Sequence, residues 1–378
     1  MAGKNFASLD KIQSLTEHNL EIVADSRKPV IGWFCAYTPE EILLAAGLCP
    51  YRIVPEPAKT ITLADSYIER SFCPYVRSCL GEALEGHYRF LSGLVVVNSC
   101  DPMRRLYDAW RYYIGGDFVS LLDLPRIDSK LAVEYYRECL LRFIGELEAH
   151  YRVSISAAAI SEAILAHNKT RSLLKELYHL NQDCGMPVPA VQIHRVVKAS
   201  TVLPGDTFNE LLEGLLSEVS HAGSDFQEGP RVLVSGSILD DPMIIELIEQ
   251  CGARVVGDDL CTGTRQFWQL VEPDGEPLTA LSRYYLGRTP CPRMKDAQRR
   301  FDHVFRLIDD FRVDGVVFYT LKFCDPFLYD IPVLKSQLGA RGIPALILEG
   351  DYTPGTLGRV RTRIQAFIEM LRQDVRAA

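Results

Sequence analysis

The chain has 378 residues, enough for two domains of ordinary size, with 47% hydrophobic and 24% charged residues, both ordinary for a globular protein. A net charge of −8 with no basic block argues against a nucleic-acid binder, because nothing is present to neutralise phosphates. No apolar run reaches the roughly 20 residues needed to span a bilayer, and "MAGKNFASLDKIQSL" lacks a signal-peptide core, which reads as a soluble cytoplasmic protein.

Residues 1–25 predict an amphipathic lead-in helix. "KPVIGWFCAY" follows as a strand and "TPEEILLAAGLCP" as a helix, with Thr38 as N-cap, Pro39 at the first helical position and Glu41 closing a capping box. "YRIVPEP" is a second strand, and a helix runs from Pro74 through "YVRSCLGEALEGHYRFL". "LSGLVVVNSCD", "PMRRLYDAWRYY" and "FVSLLDLPR" then read as strand, helix and strand. Residues 130–222 carry long helical patterns with no convincing strand between them. From Gly229-Pro230 the alternation resumes in "PRVLVSGSILDDPMIIELIEQCGARVVGDDLC" and "VDGVVFYTLKFCDPFLYDIPVLKSQLGARGIPALILEGDY", and "GTLGRVRTRIQAFIEMLRQ" closes the chain as a helix. Strands alternating with helices imply parallel sheets covered on both faces. The expected fold is α/β: two doubly wound, Rossmann-like parallel-sheet domains at 1–129 and 229–378, joined by a helical connector at 130–228.

Ligands of such sheets sit beyond the carboxyl ends of the strands, and the cysteines fall there. Eleven is many for a cytosolic chain, and an odd number cannot form a complete intramolecular disulfide framework. Cys35, Cys100, Cys261 and Cys324 each follow a predicted strand. Cys73 precedes Pro74 at a helix start, where free N–H groups and the dipole favour a thiolate, and Cys291 lies between two prolines in a rigid loop. A soft polynuclear metal centre would explain these six; small packing residues are the alternative. The other five read as packing residues: Cys79 and Cys139 inside helices, Cys49 and Cys251 near helix ends, Cys184 in a connector loop. No C-x-x-C spacing marks a zinc ribbon or a ferredoxin-type cluster. Neither G-x-G-x-x-G nor a Walker A pattern occurs, so ATP chemistry would belong to another protein. Asp101 and Asp325 read as loop caps or proton-transfer groups, Arg265 as an anion holder or a surface ion pair, and Glu40 with Glu41 as a first-turn acidic pair.

The blocks "CAYTPEEILLAAGLCPYRI", "CPYVRSCLGEALEG", "LVVVNSCDPMRRLYDAW", "GDDLCTGTRQF", "YLGRTPCPRM" and "DGVVFYTLKFCDPFLYDIPVLK" resemble the 2-hydroxyacyl-CoA dehydratase and benzoyl-CoA reductase family. With "GIPALILEGDYTPGTLGRVRTRIQAFIEML" the likeness runs in order from about residue 30 to 371. It implies an iron–sulfur protein that receives low-potential electrons from a separate ATP-hydrolysing iron–sulfur activator. Dehydratase members hold a 4Fe-4S cluster on three cysteines, which match Cys73, Cys100 and Cys324. The double-cubane branch binds an 8Fe-9S cluster on six, which match Cys35, Cys73, Cys100, Cys261, Cys291 and Cys324. The double cubane is the favoured expectation and a single 4Fe-4S cluster the alternative. The function so implied is reductive chemistry on a small molecule or acyl-CoA thioester, in a homodimer or a heterodimer with a related subunit. The other reading is a non-catalytic electron-relay subunit.

Overall fold

A computed structural model describes residues 6–56, 61–180, 182, 188–222, 229–351 and 357–377. Helices α1 (Ala7–Glu17) and α2 (Asn19–Asp25) precede β1 (Val30–Trp33), α3 (Glu40–Ala45), β2 (Cys49–Arg52), α4 (Ile61–Ala64), α5 (Pro74–Glu85), β3 (Gly93–Val97), α6 (Asp101–Ala109) and β4 (Val119–Leu122). Four helices follow: α7 (Lys130–Tyr151), α8 (Ala157–His179), α9 (Ala190–Ala199) and α10 (Gly205–His221). The second alternating half contains β5 (Arg231–Gly236), α11 (Met243–Gln250), β6 (Arg254–Asp259), α12 (Thr264–Phe267), α13 (Pro277–Gly287) and α14 (Ala297–Asp310). It ends with β7 (Gly315–Leu321), α15 (Asp325–Ala340), β8 (Ala345–Gly350) and α16 (Leu357–Ala377).

The strands form two four-stranded, wholly parallel sheets, ordered β2-β1-β3-β4 and β6-β5-β7-β8. The two orders are the same plan repeated, as the alternation in the sequence implied. All residues of β1 and β3 are buried, and β7 is buried but for a half-exposed Tyr319. Continuous apolar runs of this kind fit strands with both faces covered by helices.

Helices from one half close the core of the other. Tyr136, Leu140, Phe143 and Leu147 of α7 pack with Ile31 and Val95 of the first sheet, and Leu281 and Tyr285 of α13 join the same core. Leu212 and Leu215 of α10, Leu177 of α8 and Ile12 of α1 pack in a core that includes Leu233 and Val316 of the second sheet. Buried pairs tie the halves: Arg52 Nη1 lies 2.7 Å from Asp240 Oδ1, and Arg52 N–H donates to the Thr201 carbonyl. Among the described residues no helix is long and apolar enough to cross a membrane.

Two local expectations are corrected. The lead-in is two helices, broken at His18, whose ring bonds the Ser14 carbonyl while the Asn19 amide donates to that of Thr16. Thr38 does not cap α3: Pro39 is the N-cap, Thr38 Oγ1 is buried without a hydrogen-bond partner, and the Glu41 side chain turns into the core. Tertiary partners for Glu41 outcompete the local capping box.

Candidate metal centre

In each sheet the strand order reverses beside the first strand, which puts the switch points between β1 and β3 and between β5 and β7. Crevices of this kind are the ligand sites of doubly wound sheets. Cys35 and Cys261 each stand two residues past a strand, β1 and β6, while Cys100 and Cys324 stand three past β3 and β7. Cys73 precedes α5, and Cys291 lies in the loop between α13 and α14. All six line one cavity, which has about 120 Å³ open to water-sized molecules. The tips of both sheets thus meet around a single space.

The Cys-Asp-Pro repeat has a local cause. Cys100 and Cys324 are the N-caps of α6 and α15, with the aspartate first and the proline second in each helix. Cys73 is the N-cap of α5, with Pro74 directly after it. Proline there presets the helical φ where its missing N–H costs nothing. Three helix N-termini therefore meet the cavity through their capping cysteines, and the positive end of each dipole favours anionic sulfur. Phe323, just before Cys324, has φ 59°, a left-handed conformation that aims the following cysteine at the cost of backbone strain.

Burial pushes the thiols of Cys35, Cys73, Cys100, Cys291 and Cys324 up, Cys73 to about 11 and Cys291 to about 12. Neighbouring sulfurs add to the rise: Cys261 acts on Cys291 and Cys324 within its own half and on Cys35 and Cys73 across the seam between the halves. Main-chain N–H groups oppose it, from Tyr75 and Val76 at Cys73, Met103 at Cys100 and Phe327 at Cys324. Six crowded thiols cannot all ionise in a buried site unless a cation compensates them, and bound metal deprotonates thiols outright. The donor set therefore fits an iron–sulfur group. Among the described residues no three His, Cys, Asp or Glu side chains form a group suited to one metal ion. Cluster thiolates bind different irons and stand further apart than ligands sharing a single ion.

The other described cysteines lie outside the cavity lining. Cys79 and Cys139 are buried within α5 and α7, Cys49 is buried in β2, and Cys251 is half-buried at the end of α11. Cys184 falls outside the described residues.

Arg265 is not a surface residue. It is buried, its Nη1 is 3.0 Å from Asp259 Oδ1, and its Nη2 donates to the Gly236 carbonyl at 2.6 Å and to Cys261 Sγ at 3.3 Å. Asp259 also pairs with Arg300 at 2.8 Å. Asp101 and Asp325 line the cavity as exposed first-turn residues of α6 and α15.

Two site residues escaped the sequence reading. Arg288 joins the halves by donating to the Ala36 carbonyl at 2.9 Å and the Arg265 carbonyl at 2.6 Å, and Tyr37 Oη accepts from the Cys291 N–H at 3.0 Å. Both act on main-chain groups distant in sequence, for which no motif exists.

A family model described as 2-hydroxyglutaryl-CoA dehydratase, D-component matches residues 35–371. The (R)-phenyllactyl-CoA dehydratase beta subunit of Clostridium sporogenes is 24% identical, with 96% of this chain and 97% of that one aligned. Lactoyl-CoA dehydratase subunit beta of Anaerotignum propionicum is 26% identical over 92% and 93% of the two chains. A subunit of the benzoyl-CoA reductase of Thauera aromatica is 25% identical over 92% of each. With nearly the whole chain matched, and its strand-tip cysteines gathered in one cavity, the protein belongs to the 2-hydroxyglutaryl-CoA dehydratase D-component family.

Proposed function

We infer that this protein is the iron–sulfur component of a dehydratase or reductase acting on an acyl-CoA thioester or another small molecule. The observation that carries this reading is the convergence of Cys35, Cys73, Cys100, Cys261, Cys291 and Cys324 on one cavity from both α/β halves. These six would hold the cluster, and their number favours the double cubane over a single 4Fe-4S cluster on Cys73, Cys100 and Cys324. When bound, such a group supplies single low-potential electrons to the substrate.

The protein's own residues supply the setting. The N-termini of α5, α6 and α15 and the Arg265 guanidinium present positive charge to the sulfurs, which tunes a cluster's potential. Phe34, Val76, Met103, Ile238, Leu321 and Phe327 give the cavity an apolar wall that limits water. Without an ATP motif in the chain, electron activation falls to a separate ATP-hydrolysing iron–sulfur protein. The relatives' names as subunits support a partner subunit, either related or a second copy.

Iron and acid-labile sulfide counts on protein purified without oxygen test the reading. The expected wild-type content is roughly eight irons per chain, lowered by serine at any of the six cysteines. Cys79→Ser and Cys139→Ser should keep the iron, since both side chains are packed in helices away from the cavity. About four irons, insensitive to Cys35→Ser and Cys261→Ser, would establish the single cluster instead. A colourless protein after anaerobic reconstitution would sink the whole reading.

A further inference from the structure

A second, smaller chamber of about 30 Å³ adjoins the cysteine cavity. Ala36 and Arg288 line both spaces, so the two share a wall. Glu40, His167, Arg171, Gln266 and Tyr285 contribute to the rest of the chamber.

The adjacent glutamates at the start of α3 meet opposite fates. Glu41 is fully buried and paired, accepting from Arg171 Nη2 at 2.5 Å and from Tyr285 Oη at 2.7 Å. Glu40 is half-buried, faces the chamber and, among the described residues, has no side-chain hydrogen bond or ion pair. The cations around it are engaged elsewhere: Arg171 with Glu41 and Asn168, Arg52 with Asp240, Arg288 with two main-chain carbonyls. Burial holds His167 down at about 4, so it carries no charge at neutral pH. Burial and the Glu41 charge push Glu40 up to about 8, against the pull of Arg171, Arg52 and Arg288.

Two residues of the chamber wall, Arg288 and Gln266, also hold buried polar atoms without protein partners, Nε and Oε1, and Thr170 and Ser200 add hydroxyls to the lining. A water needs roughly 10–15 Å³ and two to four polar partners. A 30 Å³ chamber with these groups therefore suits about two waters.

We propose that this chamber is a proton store for the cysteine cavity: Glu40 is kept as a neutral carboxylic acid, in contact with chamber water, and gives up its proton across the shared wall when an electron enters the cavity. The Glu40 O–H bond breaks, the carboxylate keeps the bonding pair, and the proton passes over water to a carboxylate that lines the more negative cavity, Asp101 or Asp325, where the new O–H bond forms; solvent later returns one proton to Glu40. The electron is the one required by the proposed iron–sulfur function, and the transfer half rests on that reading.

Infrared spectroscopy of cluster-free protein tests the store by itself. Wild type minus Glu40→Gln should show a protonated-carboxyl C=O band that shifts in deuterated buffer and disappears as pH rises through about 8. Glu40→Asp, which keeps a carboxyl but moves the band, serves if the glutamine variant does not fold. A Glu40 ionised at pH 6–7, with no such band, overturns the proposal whatever iron the protein binds. On cluster-loaded protein, dithionite reduction should diminish the band in wild type and leave nothing at that frequency to change in Glu40→Gln. A band untouched by reduction overturns the transfer. The band in a protein that never takes up iron would instead refute the cluster and leave the protonated Glu40 standing.

Discussion

Replacing Glu41 by glutamine keeps the shape of the side chain and removes its charge. Arg171 would then lose its ion-pair partner, which lies at 2.5 Å with both side chains nearly inaccessible to solvent, and only the neighbouring Glu40 carboxyl, released from the Glu41 charge, would be left to offset it. Removing one partner of a buried pair costs about 3–5 kcal/mol, most of it the penalty for the charge left behind. An unfolding entropy of about 2.1 cal/mol/K per residue gives 378 residues about 0.8 kcal/mol/K, so the melting temperature should fall by about 4–6 °C. The effect also has a pH signature. Burial would raise the Glu41 carboxyl, but Arg171, with help from Tyr285, outweighs it and holds the group at about 2. A carboxylate lowered in the folded state stabilises above its unfolded value near 4.5 and loses that contribution as pH falls toward 2. The gap between wild type and Glu41→Gln should therefore be constant from pH 7 to 5.5 and narrow by about 1 kcal/mol by pH 4. Scanning calorimetry of cluster-free protein at these pH values reads both effects. A variant melting within 1 °C of wild type, or a gap that ignores pH, would refute the assignment of Glu41 as the charge that makes Arg171 tolerable in the core.

Gly236 ends β5 at the cavity, and a Cβ there would lie 1.8 Å from the Tyr319 carbonyl of β7, so Gly236→Ala should cost about 3 kcal/mol or more in urea unfolding. Gly145→Ala, in α7 with nothing within 4 Å of the added carbon, should instead stabilise by about 0.5–1 kcal/mol. Arg265→Met removes the donor to Cys261 Sγ while Asp259 keeps Arg300, so iron should be retained. A lost hydrogen bond to a charged group, at about 1.5–3 kcal/mol, should lower the cluster potential in an anaerobic redox titration by on the order of 60–130 mV; an unchanged potential would remove Arg265 from the site.

The sequence by itself determined the elements and most of the site's ingredients. Apolar runs such as "GLVVV" and "GVVFYTL" can only be buried on both faces, and their alternation with helices forces parallel crossovers, so the α/β class follows from local pattern. The six cysteines were legible for the same reason, since a strand end or a proline-started helix is a local event that fixes where its neighbour sits. What the tertiary structure alone decided is where distant segments meet. Only the apposition of the two sheets brings Cys35, Cys73 and Cys100 to the same cavity as Cys261, Cys291 and Cys324. The same apposition turned Glu41 from a local cap into the partner of Arg171, 130 residues away, and left its neighbour Glu40 facing a small chamber between the halves. It took Arg265 from the surface into the core beside Cys261. A charge's role depends on which charges and how much water surround it, and those surroundings come from residues far along the chain, which spacing and composition do not encode.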